Sequence, residues 1–144
     1  MRLGAELIES VEEFVRLRAS GDAADYQRIK REEAPLEVWL AIVRDYPDMR
    51  FWVAFNRTLP PEVLRVLAGD SDWRVRDKVA SRRDTPSDIL ELLSGDAHEA
   101  VLSSVAGNPG TSSRALELLS QHPWSQIQEK SSRQLRVRQN ESNG

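Results

Sequence analysis

The sequence repeats itself at a spacing of 26 residues, and this feature limits the possible folds more than any other. Three segments begin at Val53, Val79 and Val105 and read VAFNRTLPPEVLRVLAGD, VASRRDTPSDILELLSGD and VAGNPGTSSRALELLSQH. Apolar residues recur at four positions of the repeat, and we call the residues that share one repeat position a column. The four apolar columns are Val38, Leu64, Leu90 and Leu116; Ala41, Leu67, Leu93 and Leu119; Met49, Val75, Val101 and Ile127; and Val53, Val79 and Val105. A fixed period of this size is typical of stacked repeat architectures.

Each unit carries start and stop signals for two short helices. In the second of these segments, Thr85 is placed to cap a helix, with Pro86 as its first residue and Asp88 at the capping-box position. Gly95 is placed to end that helix in the left-handed conformation. A second helix follows, and the Gly-Asn-Pro run at 107–109 stops it.

Helices of this length are unstable alone in water, so each must cover its apolar stripe with a neighbour. Stacked repeats meet that need with a continuous core, and the small residues Ala54, Ala80 and Ala106 indicate close helix approach. We therefore predict an all-α fold, a short right-handed α-solenoid of two-helix repeats. The predicted repeats are 35–60, 61–86, 87–112 and a degenerate 113–135.

The two ends of the chain lie outside the repeat. Residues 1–34 are predicted to form an amino-terminal helical cap, in which Ser10 and Glu13 have capping-box spacing. The fourth apolar column ends at Ser131, and the columns are lost from Glu129 on. We expect one domain over 1–135 and a flexible tail over 136–144.

Composition excludes several functions. A length of 144 residues suits one domain, and a net charge of −3 gives no general reason to expect a polyanion-binding protein. The absence of cysteine excludes disulfides, thiolate metal sites and cysteine nucleophiles. We see neither a signal peptide nor a run of membrane-spanning length, so we expect a cytoplasmic protein.

No pattern of catalytic residues emerges from the sequence. His98 aligns with Asp72 at a helix start, and His122 aligns with Asp70 and Asp96 at a turn. Neither histidine has a partner at metal-ligand spacing, and HExxH, GxSxG and P-loop motifs are absent. We expect a protein that is not an enzyme and uses no cofactor.

The stretch VAFNRTLPPEVLRVLAGDSDWRVRDKVASRRDTPSDILELLSGD resembles the leucine-rich repeat variant pattern, a HEAT-like helical unit. The matching positions in the central unit are Val75, Arg76, Val79, Ala80, Thr85, Pro86, Leu90, Leu93 and Asp96. The upstream sequence is similar to a group of small bacterial repeat proteins, and the resemblance covers about residues 10–128. It implies a solenoid binding module. The founding family member is associated with an iron–sulfur cluster, which a chain without cysteine cannot hold.

Arginines recur at surface positions of the repeat. Arg50 and Arg76 share one column, Arg57 and Arg83 share another, and Arg82 stands beside Arg83. Aligned guanidinium groups can hold carboxylates or phosphates. The alternative, which we favour, is ordinary surface pairing with the neighbouring acids, which are Asp48, Asp72, Asp77 and Asp84.

Aromatic residues give a second indication. We expect Trp39 to be buried, and Trp73 and Trp124 to be partly exposed at helix starts. Phe51 and Trp52 are adjacent on a helix, so they cannot both face the core, and Phe55 lies one turn further on. A ring that faces away either packs on the amino-terminal cap, which we favour, or anchors a partner.

These observations favour a protein-binding module over two alternatives, a nucleic-acid-binding HEAT-like protein that uses the arginine columns and a passive scaffold. A narrower hypothesis, based on the resemblance, is an immunity or antitoxin-like protein that binds a bacterial partner. We expect a monomer with no membrane partner. The predicted partner-binding residues are Arg50, Phe51, Trp52, Phe55, Arg57, Trp73, Arg76, Arg82 and Arg83.

Overall fold

The computed structural model describes residues 7–143, which form ten α-helices and one short 3-10 helix. The chain divides into two compact units, unit 1 up to Leu67 and unit 2 from Ala68 onward. Within residues 7–143, no helix has both the length and the apolar character needed to cross a membrane. The predicted all-α class is confirmed for this part of the chain.

Unit 1 contains five α-helices and the 3-10 helix. They are α1 (Val11–Ala19), α2 (Ala23–Arg31), α3 (Leu36–Asp45), the 3-10 helix (Pro47–Met49), α4 (Arg50–Ala54) and α5 (Pro61–Leu67). As predicted, the Ser10 side chain accepts the Glu13 N–H at 3.1 Å and so caps α1. The core of this unit forms around Phe14 and Trp39, whose rings meet edge to face at 5.7 Å.

Helix α3 departs from the predicted apolar columns. Val38 and Ala41 were placed in the core columns, but both are only half-buried, whereas Trp39, Ile42 and Val43 are fully buried. The face of α3 that packs in the core is therefore the one next to the predicted face. The reason is the large Trp39 ring, which fills the space against Phe14 that a smaller residue would leave open. The predicted burial of Trp39 is confirmed.

Unit 2 contains α6 (Trp73–Ser81), α7 (Ser87–Leu93), α8 (Glu99–Gly107), α9 (Ser113–Leu119) and α10 (Ser125–Asn143). Helix α8 lies between α6 and α10 and packs against both. Helices α7 and α9 have equivalent bounds 26 residues apart, and so do α6 and α8. Apolar residues from all five helices fill the core of this unit, with Ile127 as the contribution of α10, as the apolar columns predict.

Two predicted helix-end signals in unit 2 are wrong. Thr85 does not cap α7; its hydroxyl donates to the Val79 carbonyl at 2.7 Å, and Pro86 precedes the first helical residue without a side-chain cap. The equivalent Thr111 donates to Val105 at 2.6 Å. Both threonines thus give a second donor to a carbonyl in the last turn of the helix before them, which also accepts a backbone N–H, from Arg82 or from Asn108. Gly95 does not adopt a positive φ.

Buried asparagines close two other helix ends. In unit 1, Asn56 Nδ2 donates to the carbonyls of Ile29 and Glu32, at 2.7 and 2.8 Å. In unit 2, Asn108 Nδ2 donates to the carbonyls of Ala80 and Arg82, at 2.8 and 2.7 Å. Each asparagine therefore satisfies carbonyls at the end of a helix that precedes it by about one repeat.

The last helix is longer than the sequence predicts. A flexible tail was expected over 136–144, but α10 continues through Asn143. Arg138 bonds the Ser113 hydroxyl at 3.2 Å and the Pro109 carbonyl at 3.4 Å, and so attaches this helix to the preceding repeat. Long polar side chains with good helix propensity sustain the rest of it.

Candidate functional site

The predicted aromatic residues of unit 1 form one cluster, the aromatic cluster, made of Phe51, Trp52 and Phe55. Ring centroids are 5.5 Å apart for Phe51 and Trp52, 5.1 Å for Phe51 and Phe55, and 5.7 Å for Trp52 and Phe55. Helix α4 buries Val53 and Ala54, so the adjacent rings turn to the other side and stay half-buried. The cluster is thus preformed and partly open to solvent.

Trp52 also packs on the amino-terminal helices. Its ring meets Tyr26 of α2 edge to face at 6.2 Å. The Arg18 guanidinium of α1 lies over the same ring, with Cζ 3.8 Å from the centroid, which is a cation–π contact. Arg18 and Tyr26 were not identified from the sequence. No sequence signal could have found them, because the contact joins residues more than 25 positions apart.

The two predicted arginines of unit 1 have different surroundings. Arg50 Nε donates to the Val43 carbonyl at 2.6 Å, near the end of α3. Arg57 has an exposed side chain, and its backbone N–H donates to the Lys30 carbonyl at 2.8 Å. Arg50 is thus engaged with the fold, whereas Arg57 is directed to solvent.

In unit 2, Trp73 begins α6 and stacks on His98, with ring centroids 4.1 Å apart and planes 9° apart. His98 Nδ1 accepts the Ala100 N–H at 3.1 Å, so this histidine caps α8 as its repeat position predicts. Trp73 and Trp124 are 38% and 42% exposed, so both rings are partly exposed, as the sequence predicts. The Trp73–His98 pair is therefore a flat aromatic surface at the start of two helices.

Arg76 is held on both sides. Its guanidinium forms a two-pronged pair with Asp96, with Nε–Oδ2 at 2.7 Å and Nη2–Oδ1 at 3.1 Å, and Nη1 donates to the Asp70 carbonyl at 2.8 Å. Burial raises the pKa of Asp96, but the hydrogen bonds from Arg76 and from the His98 N–H outweigh it, and the pKa is lowered. The sequence pointed to other aspartates as partners.

Two further arginines of unit 2 are paired with aspartates. Arg74 bonds Asp72 at 3.0 Å, and Arg82 bonds Asp84 at 2.8 Å. The Arg82 side chain is only 8% exposed, so most of its surface is already covered by the protein. Arg83 beside it is exposed. The ion pairs match the favoured interpretation of surface pairing, and they reduce the positive potential that a phosphate would meet.

An exposed pair of leucines was missed by the sequence analysis. Leu92 on α7 is 62% exposed and Leu118 on α9 is 66% exposed, and we call these two residues the leucine column. Ser112 at the start of α9 donates to Glu91 of α7 at 2.9 Å, so the two helices are neighbours. The sequence does show apolar residues at this position in successive repeats. Core columns show the same pattern, so the sequence alone could not tell that these leucines are exposed.

The described part of the chain is all-helical, and the recurrence of α6 as α8 and of α7 as α9 is consistent with the class of helical-repeat proteins. Residues 73–98 match the family described as leucine rich repeat variant, a HEAT-like helical repeat. The matched segment covers α6, α7 and the loop that leads to α8, so the resemblance seen in the sequence is confirmed for this unit. The chain matches neither a curated protein nor a solved structure.

Proposed function

We propose that this protein is a non-enzymatic protein-binding module, and that the leucine column is its primary contact surface. The observation that carries the proposal is the exposure of Leu92 and Leu118, at 62% and 66%, at equivalent positions of two neighbouring helices. One exposed leucine is ordinary on a protein surface, whereas exposed leucines at the same repeat position of two helices linked by the Ser112–Glu91 hydrogen bond offer a partner two apolar contact points. The exposed Trp73 and Trp124 of the same unit add aromatic anchors of the kind found at interfaces.

The proposal includes the finer architecture. The repeats stack as a right-handed solenoid with a 26-residue period, because a short helix pair covers its apolar stripe best with an identical neighbour. Such a stack holds its surface rigidly, and a rigid surface loses little conformational entropy on binding. We expect the free protein to be a cytoplasmic monomer without a cofactor.

The partner class is the narrowest part of the proposal. We propose an immunity or antitoxin-like role, in which the module covers a functional surface of a bacterial protein. The support is the resemblance of the sequence to small bacterial repeat proteins. A tight inhibitory complex needs apolar anchors within a polar rim, and the leucine column lies beside the exposed Glu91 and Glu117.

Site-specific photo-crosslinking tests the proposal. A benzophenone amino acid placed at Leu118 should give a discrete crosslinked protein in cells of the native host, and the same probe at the exposed Gln139 of α10 should not. The double substitution Leu92→Ser and Leu118→Ser should abolish crosslinking from a probe at the exposed Trp124. Identical products from positions 118 and 139, or none from 118, would refute the leucine column as the contact surface.

Nucleic-acid binding is the alternative, and the structure gives it little support. Arg74, Arg76 and Arg82 are each paired with an aspartate, so the positive charge is locally compensated. Duplex binding draws its affinity from uncompensated cations that displace counterions. We expect no retardation of duplex or single-stranded DNA in a gel-shift titration at low salt; saturable retardation that weakens steeply with salt would reverse this preference.

A further inference from the structure

A cavity of about 340 Å³ opens between α1 and α2 in unit 1. Leu17 and Ile29 form its apolar floor, and Arg18, Asp22 and Tyr26 supply its polar groups. Its volume lies at the lower end of small-molecule sites, roughly 300 Å³, so it can accept a side chain or a small organic molecule. Ala23 and Gly21 line the cavity near the α1–α2 turn, and both are exposed, so the site is open to solvent.

Arg18 is the unusual member of this lining. Its guanidinium lies 3.8 Å from the centre of the Trp52 ring, and its Nε is buried without a hydrogen-bond partner within residues 7–143. The aromatic ring stabilises the positive charge but offers no conventional acceptor to the N–H groups. A guanidinium carries five such donors in a planar arrangement that suits a carboxylate, so the structure holds an Arg fixed in place with donors still available.

The nearby carboxylates are engaged elsewhere. Asp22 Oδ1 accepts the Ala24 N–H at 2.7 Å and caps α2. Glu13 and Glu32 both bond Arg28, at 2.7 and 2.5 Å. Lys30 Nζ lies 5.6 Å from the Tyr26 ring centre and adds a second positive charge beside the cavity. The Arg18 guanidinium and the Lys30 ammonium thus lie near a cavity whose lining carboxylate, Asp22, is held by the amino-terminal turn of α2 through Oδ1.

We propose that this cavity binds a carboxylate carried on an apolar group, with the Arg18 guanidinium pairing with the carboxylate and Leu17 and Ile29 contacting the apolar part. Trp52 is a positioning residue, because its ring contacts the guanidinium of Arg18, a residue of the cavity lining. The site lies in unit 1 and does not involve the leucine column. A free carboxylic acid and the carboxyl terminus of a peptide share this chemistry.

Nuclear magnetic resonance titration of the full chain tests the site. Hexanoate should shift the Trp52 indole and Arg18 side-chain N–H signals saturably, with a dissociation constant of about 1–10 mM. Hexanamide lacks the charge and acetate lacks the apolar chain, so each should bind at least tenfold more weakly. Equal shifts with hexanoate and hexanamide, or a hexanoate response that stays linear, would overturn the proposal.

Two variants test whether hexanoate binding depends on Arg18 specifically or only on the positive charge of the helix. Arg18→Gln should weaken hexanoate binding at least tenfold, whereas Arg16→Gln, an exposed arginine on the same helix, should leave it unchanged. If Arg18→Gln loses the dispersed spectrum of the folded protein, Ala23→Leu serves instead. It fills the cavity from an exposed position and should weaken binding to the same degree. Wild-type affinity in a folded Arg18→Gln or Ala23→Leu protein would contradict the assignment.

A second titration identifies the source of the carboxylate. A hexapeptide ending in leucine with a free carboxyl terminus is compared with its amidated form and with hexanoate. Tenfold tighter binding of the free peptide than of hexanoate assigns the site to a protein terminus, and the reverse order assigns it to a small acid. Binding of the amidated form as tight as that of the free peptide would overturn the proposal. The crosslinking outcome at Leu118 does not depend on any of these results.

Discussion

Asn56 in unit 1 and Asn108 in unit 2 lie two repeat periods apart and form equivalent hydrogen bonds. Both side chains donate to two carbonyls at the end of a helix that lies about one repeat length earlier in the chain. Both also accept a backbone N–H from two residues further on, Thr58 in one case and Gly110 in the other, at 2.8 Å. The interior of the repeat is therefore maintained in both units.

The surfaces of the two units have diverged. Unit 1 presents the aromatic cluster and Arg18, whose charge is held by a ring rather than by an acid. Unit 2 presents the leucine column and arginines that are paired with aspartates. Since the repeat needs only the interior contacts, the features that differ between the units are where binding functions are expected.

The largest expected effect tests the equivalence of the two asparagines. Asn56→Ala and Asn108→Ala should each lower the free energy of unfolding by about 3 kcal/mol, because each removes two short hydrogen bonds to helix-end carbonyls in a buried setting. Urea denaturation followed by circular dichroism measures both, with the exposed Asn140→Ala as control. A loss below about 1 kcal/mol in one variant only would show that the units are not equivalent.

The next effect separates a partly buried ion pair from an exposed one. Arg76→Gln should lower the free energy of unfolding by about 2 kcal/mol, because the hydrogen bonds of Arg76 to Asp96 and to the Asp70 carbonyl are lost together. The matched Arg74→Gln should have no measurable effect, since its pair with Asp72 is exposed to water. Equal losses in the two variants would contradict this distinction.

The same pair predicts a pH dependence. The pKa of Asp96 is lower in the folded state than its usual value, so the folded protein favours the ionised form. Its stabilising contribution is complete above the unfolded-state pKa of about 4 and is lost as the pH falls through the folded-state pKa. The free energy of unfolding should therefore fall less steeply with decreasing pH in Arg76→Gln than in wild type. Parallel curves for the two proteins would show that the Arg76–Asp96 pair does not contribute to the acid sensitivity.

A smaller effect concerns the end of the fourth apolar column. Ser131 is fully buried at the repeat position of Val79 and Val105, and its hydroxyl has no hydrogen-bond partner within residues 7–143. Ser131→Ala should raise the free energy of unfolding by about 1.5 kcal/mol, because it removes an unsatisfied polar group. The neighbouring Ser132→Ala, which is half-buried, is the control, and an unchanged or lowered stability for Ser131→Ala would show that the hydroxyl has a role.

The smallest effect compares a glycine in each unit. Gly21 has φ of 72°, a conformation that costs a residue with a side chain about 1 kcal/mol, so Gly21→Ala should destabilise the protein by that amount. At Gly95 an added Cβ meets only the Leu92 carbonyl oxygen at 3.7 Å, so Gly95→Ala should be neutral within about 0.5 kcal/mol. Thermal unfolding of both variants measures the two effects. Equal shifts in melting temperature would contradict the expected difference between the two glycines.

Much of the local structure could be predicted from the sequence. The apolar columns identified the core of unit 2, and the capping roles of Ser10 and His98 followed from their positions. The errors arose where a side chain had two possible partners. Thr85 bonds backward to Val79 rather than forward to its own helix, and the choice depends on how closely the preceding helix approaches.

The candidate sites were less predictable. Phe51, Trp52 and Phe55 were correctly grouped, because helical spacing brings them together. Arg18 joins them only through the packing of α1 within unit 1, and Asp96 was not identified as the partner of Arg76. Contacts of this kind join segments far apart in sequence, and spacing alone carries no information about them.

The sequence by itself determined that this chain folds as short helices, since a 26-residue period of apolar positions with turn residues between them leaves no other way to bury the apolar stripes. The tertiary structure decided which apolar positions face water. Leu90 and Leu92 are equally apolar in sequence, yet Leu90 is buried and Leu92 is exposed, because a helix of seven residues has only one face against its neighbours.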